Sequence, residues 1–226
     1  LSKRHGALGV DEYRKMGILP ESLRNYLLRL GWSHGDNEII SDLQAIEWFS
    51  IENIGHSPSC LNFTKLEHLN NHYIVQSEKF KIFELVKIKL EEQIGRSLSE
   101  QQVHYLNLGL DELRLRAKTI NHLADAAMFY VADLVFDDEA KAIIDNNQQN
   151  LRVILKCFSD LKNWDEGSIK GCIKDIAKNY MMKSSDIYHC IRAAITGTMQ
   201  SPGIVGIMLN FGKEEFVSRI RRCIAS

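Results

Sequence analysis

The sequence contains few residues that interrupt helices, because only 3 of its 226 residues are proline. Proline in a helix interior removes a backbone hydrogen bond and clashes with the preceding turn, so its scarcity leaves long helices uninterrupted. The sequence also lacks Asn-Gly pairs, which are the strongest short-range signal of a β-hairpin, and long runs of alternating apolar and polar residues. These absences predict an all-α protein.

Cysteine occurs at only five scattered positions, and no two cysteines have the C-x-x-C spacing of zinc or redox sites. An odd, dispersed set predicts reduced thiols that pack as small apolar residues. No apolar run is long enough to span a bilayer, and the polar, cationic opening is unlike a signal peptide. We therefore expect a cytoplasmic protein with no membrane contact. The five are Cys60, Cys157, Cys172, Cys190 and Cys223.

The eight histidines form no H-E-x-x-H motif and no other recognisable metal-ligand spacing. His68 and His72 lie four residues apart on a predicted helix and could share a metal, but no cysteine or carboxylate partner is evident. Solvent exposure or a core hydrogen bond is the interpretation we prefer for both. No Ser-His-Asp or Cys-His arrangement is indicated, so the sequence predicts neither a metal site nor a nucleophilic catalytic centre.

Helical periodicity covers nearly the whole chain. In ESLRNYLLRLGW, apolar residues between Leu23 and Leu30 recur at spacings of three and four, which places them on one helix face. Pro20 suits the first turn of this helix, where its missing N–H is not needed. Gly31 is predicted to end the helix in the left-handed conformation.

Local capping signals divide the following segments. Ser41 is predicted to cap one helix, and Thr64 with Glu67 forms a T-x-x-E capping-box pattern for the next. Gly95 is predicted to end a helix, and the long pattern after it is predicted to break at 116–119. The sequence thus predicts two helical bundles in series, with a soft boundary where polar residues accumulate at 137–150.

The charge is unevenly distributed, although the formal net charge is only −1. Residues 151–226 contain 12 Lys and Arg against 7 Asp and Glu, a balance of +5, which leaves −6 for residues 1–150. In this basic part, Lys170, Lys174 and Lys178 form a column at four-residue spacing. Two interpretations stay open: a solvated surface, or an electrostatic contact for a phosphate backbone.

The opening stretch LSKRHG combines a hydroxyl, two cations and a glycine, at Ser2, Lys3, Arg4 and Gly6. Those groups suit a loop that handles phosphates, since a lysine ammonium can follow phosphate oxygens as their charge redistributes. Taken alone, such a tetrapeptide is equally consistent with a basic N-terminal tail.

Longer motifs resemble bacterial glutamyl-tRNA synthetases, a class I family, in the same order along essentially the whole chain. The opening is similar to the family's Lys-(Leu/Ile/Met)-Ser-Lys-Arg signature loop, entered one residue late. GILPESLRNYLLRLGWS, FTKLEHLNNHYI and IRAAITGTMQSPGIVGIMLNFGKEEFVSRI resemble three further family segments. The resemblance implies a C-terminal portion of the enzyme, in which Lys3, flanked by Ser2 and Arg4, would help neutralise ATP phosphates.

The resemblance also implies which residues contact tRNA. Arg116 aligns with a family arginine that reads anticodon bases and that discriminating enzymes usually keep; the alternative is an exposed arginine paired with Asp111 or Glu112. Around the stretch TGTMQSPG, the residues that align with the family's anticodon pocket are Arg192, Ser201, Pro202 and Ile204. HCIR departs from the family's x-Pro-Leu-Arg, so that Cys190 replaces a proline and His189 takes a position that can also face the anticodon.

The resemblance implies three parts: a signature-loop remnant and stem-contact region (1–75), and two anticodon-binding helical subdomains (76–145 and 146–226). It implies a parent glutamate–tRNA ligase that uses ATP, with Mg²⁺, to activate glutamate and charge tRNA(Glu). This portion lacks the Rossmann-type catalytic domain and should be inactive alone, and a monomer is expected. Two alternatives stay open: relaxed charging of tRNA(Gln), and a helical interaction module without RNA binding.

Overall fold

A computed structural model describes residues 8–55 and 60–224, and within these residues the protein is helical, as the sequence predicts. The only extended pairing in the described residues is an isolated antiparallel bridge between Trp32 and Ile54. None of the described helices is long and apolar enough to cross a membrane. The helices are α1 (Val10–Lys15), α2 (Pro20–Arg29), α3 (Asp42–Trp48), α4 (Phe63–Gln76), α5 (Lys79–Ile94), α6 (Glu100–Arg114), α7 (Ile120–Ala127), α8 (Asp138–Asn146), α9 (Gln148–Ser159), α10 (Glu166–Asn179), α11 (Ser184–Thr196) and α12 (Ile204–Cys223).

The chain folds into two compact units. The first contains the described residues up to Gly95 together with Leu113–Asp125, and the second contains Arg96–Glu112 and the described residues from Ala126 onward. Helix α6 therefore begins in the second unit and ends in the first. The three-part division at 75 and 145 stays a prediction about domains.

In the first unit, α2 packs against α4 because each helix presents one apolar face. The shared core contains Leu23 and Tyr26 from α2 and Leu66 from α4, joined by Tyr13 and Ile18 from the preceding segment. Burying such side chains contributes roughly 1.5–3 kcal/mol each. This packing fixes the backbone of α4, the helix that carries Asn70 and Asn71.

In the second unit, α11 is the central helix and packs against α8, α9, α10 and α12. Its buried face includes Ile187, Cys190, Ile191 and Ala194, which are each at most 1% exposed. These positions recur at spacings of three and four, so the opposite face of α11 is left for polar residues.

Several predicted helix boundaries are confirmed. Pro20 is the first residue of α2, Ser41 caps α3 by accepting a hydrogen bond from Gln44, and Gly95 ends α5 with φ of 71°. The predicted break near 116–119 is also present, because α6 ends at Arg114 and α7 begins at Ile120.

Two capping predictions were wrong. Helix α2 ends at Arg29, its C-cap residue Leu30 has the ordinary right-handed conformation, and Gly31 is not among the glycines with positive φ. Helix α4 is capped by Asn62, whose side chain accepts from the Lys65 amide at 3.1 Å, so Thr64 lies inside the helix. An asparagine is as good a cap as a threonine, and it comes earlier in the chain.

Candidate nucleic-acid interface

A cavity of about 510 Å³ opens on the second unit and brings together three of the predicted site residues. His189 and Arg192 line it from α11, and Ser201 lines it from the loop that follows. Its volume lies in the range of small-ligand sites. The remaining lining residues are Glu139 and Ile143 of α8, Ser185 and Tyr188 of α11, and Met199 of the loop.

The periodicity of α11 creates this wall of the cavity. Ser185, Tyr188, His189 and Arg192 are spaced by three, four and seven residues from the first, so one helix face carries all four. The apolar residues between them point into the core of the second unit. One helix therefore anchors the fold on one side and presents polar and aromatic groups on the other.

Arg192 shapes the loop beside the cavity. Its Nη1 donates to the carbonyl oxygens of Ser201 at 2.8 Å and Pro202 at 2.9 Å, and to the Ser201 hydroxyl at 2.5 Å. These charge-assisted bonds cross-link the end of α11 to the loop nine and ten residues later. The guanidinium therefore acts first as a brace that sets the cavity's shape.

A carboxylate holds the far end of the same loop. Glu112 of α6 accepts a hydrogen bond from the Gly203 amide at 2.7 Å, just before α12 begins. A Cβ on Gly203 or Gly206 would lie 3.1 or 3.2 Å from that carboxylate, so a side chain at either position would require the carboxylate to shift by a few tenths of an ångström. The Glu112 charge also stabilises the α12 N-terminus.

The start of the loop requires a glycine. Gly197 ends α11 with φ of +74°, and an added Cβ would lie 2.4 Å from the Val135 carbonyl oxygen. Thr196 helps close this turn by donating its hydroxyl to the Thr198 carbonyl at 2.8 Å. The loop that carries Met199 and Ser201 is thus fixed at both ends.

The structure places the other residues predicted for this pocket differently. Ile204 is the first residue of α12 and is 4% exposed, so its side chain belongs to the core and does not line the cavity. Pro202 is half-buried, and its carbonyl serves as an acceptor for Arg192.

The presence of Cys190 where the resembling family has a proline leaves α11 intact. Cys190 lies within the continuous helix and is buried on the face opposite the cavity, where burial raises the pKa of its thiol to about 11. His189, the next residue back, is exposed and lines the cavity. The cysteine therefore serves as a small apolar core residue, as the sequence suggested for such thiols.

Arg116 lies in the first unit, in the turn between α6 and α7, and is exposed. Its guanidinium has no hydrogen-bond or ion-pair partner among residues 8–55 and 60–224. Its possible partner Glu112 instead binds the Gly203 amide. Its neighbour Arg114 donates to the Ser77 carbonyl at 3.0 Å, so the two arginines have different surroundings.

The predicted lysine column is only partly unpaired. Lys170 forms an ion pair with Glu166 one turn earlier in α10, which raises the pKa of that lysine. Lys174 and Lys178 are exposed and have no ion-pair partner in the part of the chain that the structure describes. An exposed ion pair of this kind contributes little to stability. The lysine column is therefore compatible both with a solvated surface and with an electrostatic contact for a phosphate backbone.

Ser2, Lys3 and Arg4, the predicted phosphate-binding residues, lie outside the described residues. Within residues 8–55 and 60–224, no group of three or more His, Cys, Asp or Glu side chains could hold a metal ion. Burial raises the pKa of Cys172 and of Cys223 to about 11, and Cys60 is exposed.

Sequence reasoning missed three of the residues that give the cavity its chemistry. The ring of Tyr188 and the thioether of Met199 can stack on a planar base, and the carboxylate of Glu139 can accept from an exocyclic amino group. Tyr188 could have been found from its helical register with Arg192. Glu139 lies 53 positions from Arg192 in the chain, so only the packing of α8 on α11 reveals it. The arrangement suits binding of bases rather than covalent chemistry.

Comparison with known proteins identifies the class. Residues 74–224 match the family model described as an anticodon binding domain, and residues 1–68 match that of the catalytic domain of class I tRNA synthetases (E and Q). The chain therefore belongs to the anticodon-binding-domain family. The resemblance stated from the motifs is confirmed, as is the all-α fold class.

The similar curated proteins are glutamate–tRNA ligases, and the chain matches their C-terminal portion. It is 46% identical to glutamate–tRNA ligase 2 of Wolbachia sp. subsp. Brugia malayi (strain TRS), over 98% of this chain and 48% of the relative. It is 48% identical to glutamate–tRNA ligase 1 of Wolbachia pipientis wMel, over 98% and 46%. The chain thus spans about half the length of the relatives that it matches.

Solved structures share the fold. A glutamate tRNA ligase from Elizabethkingia meningosepticum CCUG26117, in complex with its amino acid, superposes with a TM-score of 0.80 at 22% identity. The match covers 99% of this chain and 48% of that one. The glutamate–tRNA synthetase of Elizabethkingia anophelis gives 0.78 at 22% identity, over 100% and 48%.

Proposed function

We propose that this chain is the tRNA-binding, anticodon-recognising portion of a glutamate–tRNA ligase. The observation that carries the proposal is the cavity on α11, where His189, Arg192 and Ser201 meet Tyr188, Met199 and Glu139. A flipped, single-stranded base needs a stacking surface and hydrogen-bonding groups at its edges, and these side chains supply both.

In this proposal, two surfaces of the chain each contact an anticodon base. In the second unit, the braced loop and the α11 face receive an anticodon base, with His189 and the Ser201 hydroxyl near its edge. In the first unit, the exposed guanidinium of Arg116 reads a further base by bidentate hydrogen bonds or by stacking. Pro202 contributes through its carbonyl and Ile204 through the position of its backbone at the start of α12.

The complete enzyme, in this proposal, activates glutamate with ATP and Mg²⁺ and transfers it to the 3′ end of tRNA(Glu). Ser2, Lys3 and Arg4 then belong to the loop that neutralises the ATP phosphates. The proposed setting is the cytoplasm, and the proposed state is a monomer. The regions 1–75, 76–145 and 146–226 are the proposed stem-contact part and the two anticodon-binding subdomains.

The test measures binding of the 226-residue chain to a glutamate tRNA transcript and to the same transcript with one anticodon base changed. We expect the chain to prefer the unchanged transcript, and we expect Arg116→Ala to reduce that preference more than it reduces total affinity. A variant at an exposed arginine elsewhere, Arg221→Ala, serves as the matched control. If Arg116→Ala loses the same affinity for both transcripts, that result would count against base reading by Arg116.

A second arm addresses specificity. Charging assays with the full-length enzyme, using tRNA(Glu) and tRNA(Gln), separate strict from relaxed enzymes. We expect charging of tRNA(Glu) alone. Failure of the chain to bind any tRNA would instead favour a helical interaction module.

A further inference from the structure

The turn that carries Arg116 lacks the usual device for ending a helix. The last carbonyls of a helix have no partner inside the helix and are commonly satisfied when a glycine adopts the left-handed conformation. The stretch from Arg114 to Thr119 contains no glycine. Within the turn, the Arg116 amide donates to the Leu113 carbonyl and the Ala117 amide to the Arg114 carbonyl, each at 3.3 Å, whereas the carbonyls of Leu115 and Ala117 depend on a donor from another element.

Asn71 of α4 supplies the missing donor. Its side-chain amide donates to the carbonyl oxygen of Ala117 at 2.8 Å and lies 3.3 Å from that of Leu115 and 3.4 Å from that of Arg114. The three acceptors surround Arg116 in the chain, so one amide group binds the turn on both sides of that arginine. The Arg116 side chain itself is left exposed.

The preceding residue secures the other edge of the turn. Asn70 is fully buried, and its amide donates to the Lys118 carbonyl at 2.7 Å and to the Gly17 carbonyl at 3.2 Å. Its side-chain oxygen accepts from the Leu19 amide at 2.8 Å. Asn70 thus uses both ends of its amide to join the turn to the segment between α1 and α2.

Backbone contacts in the first unit complete the attachment. The Ile120 amide donates to the Gly17 carbonyl at 3.0 Å, and the Asn121 side chain donates to the Lys15 carbonyl at 2.7 Å. The turn is therefore held at both of its ends and along its length. The backbone that carries Arg116 is thus fixed before a ligand binds, which lowers the entropy lost when the arginine binds.

We propose that Asn71 is a positioning residue for anticodon discrimination, acting through Arg116. This inference rests on the proposed function, because it assigns to Asn71 the task of aiming the arginine that reads a base. Asn71 itself touches no RNA in the proposal. Asn70 has the same role for the other edge of the turn, but its complete burial makes it the poorer site for a test.

The experiment is a double-mutant cycle on the full 226-residue chain. Asn71→Ala, Arg116→Ala and the double variant are compared with wild type for binding to the glutamate tRNA transcript and its anticodon-changed counterpart. The measured quantity is the Kd for the anticodon-changed transcript divided by the Kd for the unchanged transcript. Asn71→Asp adds an isosteric side chain that cannot donate, and Asn150→Ala controls for loss of a half-buried asparagine elsewhere.

We expect Arg116→Ala to lower the ratio by roughly tenfold, which is the size of one well-placed base contact. Asn71→Ala and Asn71→Asp should each lower it at least about threefold, and the double variant should match Arg116→Ala alone. Melting temperatures measured beside the binding verify that each variant is folded. Asn150→Ala should leave the ratio unchanged.

Three results would overturn the inference. If Asn71→Ala weakens both transcripts equally, Asn71 has a structural role only. If the two losses multiply in the double variant, Asn71 acts independently of Arg116. If Arg116→Ala changes the ratio and the Asn71 variants do not, the inference fails while the proposed function stands; an unchanged ratio in Arg116→Ala rejects base reading by that arginine itself.

Discussion

Replacing Arg192 by lysine isolates the bracing role of this arginine from its charge. One nitrogen of the guanidinium lies 2.8 Å and 2.9 Å from the carbonyl oxygens of Ser201 and Pro202, and 2.5 Å from the Ser201 hydroxyl. A nitrogen with two hydrogens makes at most two full bonds at once. A lysine ammonium keeps the charge but lacks the planar fork.

The expected loss of folding stability in Arg192→Lys follows from these contacts. Hydrogen bonds to a charged group contribute about 1.5–3 kcal/mol each, so two bonds set an upper limit of roughly 3–6 kcal/mol. Arg192 is half-buried, and a lysine can recover one bond, which leaves about 2 kcal/mol. For a chain of this size that corresponds to a decrease in Tm of about 4–8 °C.

The assay combines thermal denaturation with tRNA binding at several salt concentrations. We expect Arg192→Lys to lower affinity for glutamate tRNA by about tenfold, because the loop loses its shape, while the salt dependence stays that of wild type. Arg221→Lys, at an exposed position near the end of α12, is the control and should change neither quantity. Wild-type stability and affinity in Arg192→Lys would refute the bracing argument.

Three further predictions concern stability and reactivity. Gly17→Ala should cost about 2–4 kcal/mol in urea unfolding, because Gly17 has φ of +79° and its Cβ would lie 2.7 Å from a backbone nitrogen; Gly35→Ala, with φ of +53° and open space, should cost about 1 kcal/mol, and equal costs would contradict the steric reasoning. Burial raises the pKa of Tyr130 from 10.0 to about 12, so the contribution of its neutral phenol to the free energy of unfolding is complete below pH 10. About 3 kcal/mol of that contribution is lost as the pH rises from 10 to 12, and Tyr130→Phe should lack this loss. A thiol reagent at pH 8 should modify exposed Cys60 within the mixing time and buried Cys190, whose thiol pKa is about 11, only as the protein unfolds; simultaneous modification would contradict the burial.

Helix positions could be predicted because their signals are local. The three- and four-residue spacing of apolar side chains, the proline at the start of α2 and the glycine at the end of α5 act within one or two turns. The errors at Gly31 and Thr64 have the same origin. At Thr64, the nearby Asn62 satisfies the same local rule and caps α4; at Gly31, helix α2 ends with Leu30 as its C-cap and without a left-handed residue.

The candidate site was predictable only in part. His189 and Arg192 share a helix face, and the motif around Ser201 lies close by in the chain, so the sequence brings these three together. Glu139 comes from α8 and could not be placed without the fold. Ile204 has the apolar character of a pocket residue, but its burial in the core depends on how α12 packs against α11.

By itself, the sequence determined the helical class, most of the few helix boundaries that it signalled, the family resemblance and the identity of the arginines at the proposed interface, because each of these depends on neighbouring residues or on a linear motif. Tertiary structure alone decided that Asn71 would satisfy carbonyls 43 to 46 positions later, and that Arg192 would brace a loop rather than stand free. Hydrogen bonds between distant segments form only where packing brings a donor and an acceptor within about 3 Å, and no local pattern encodes that meeting.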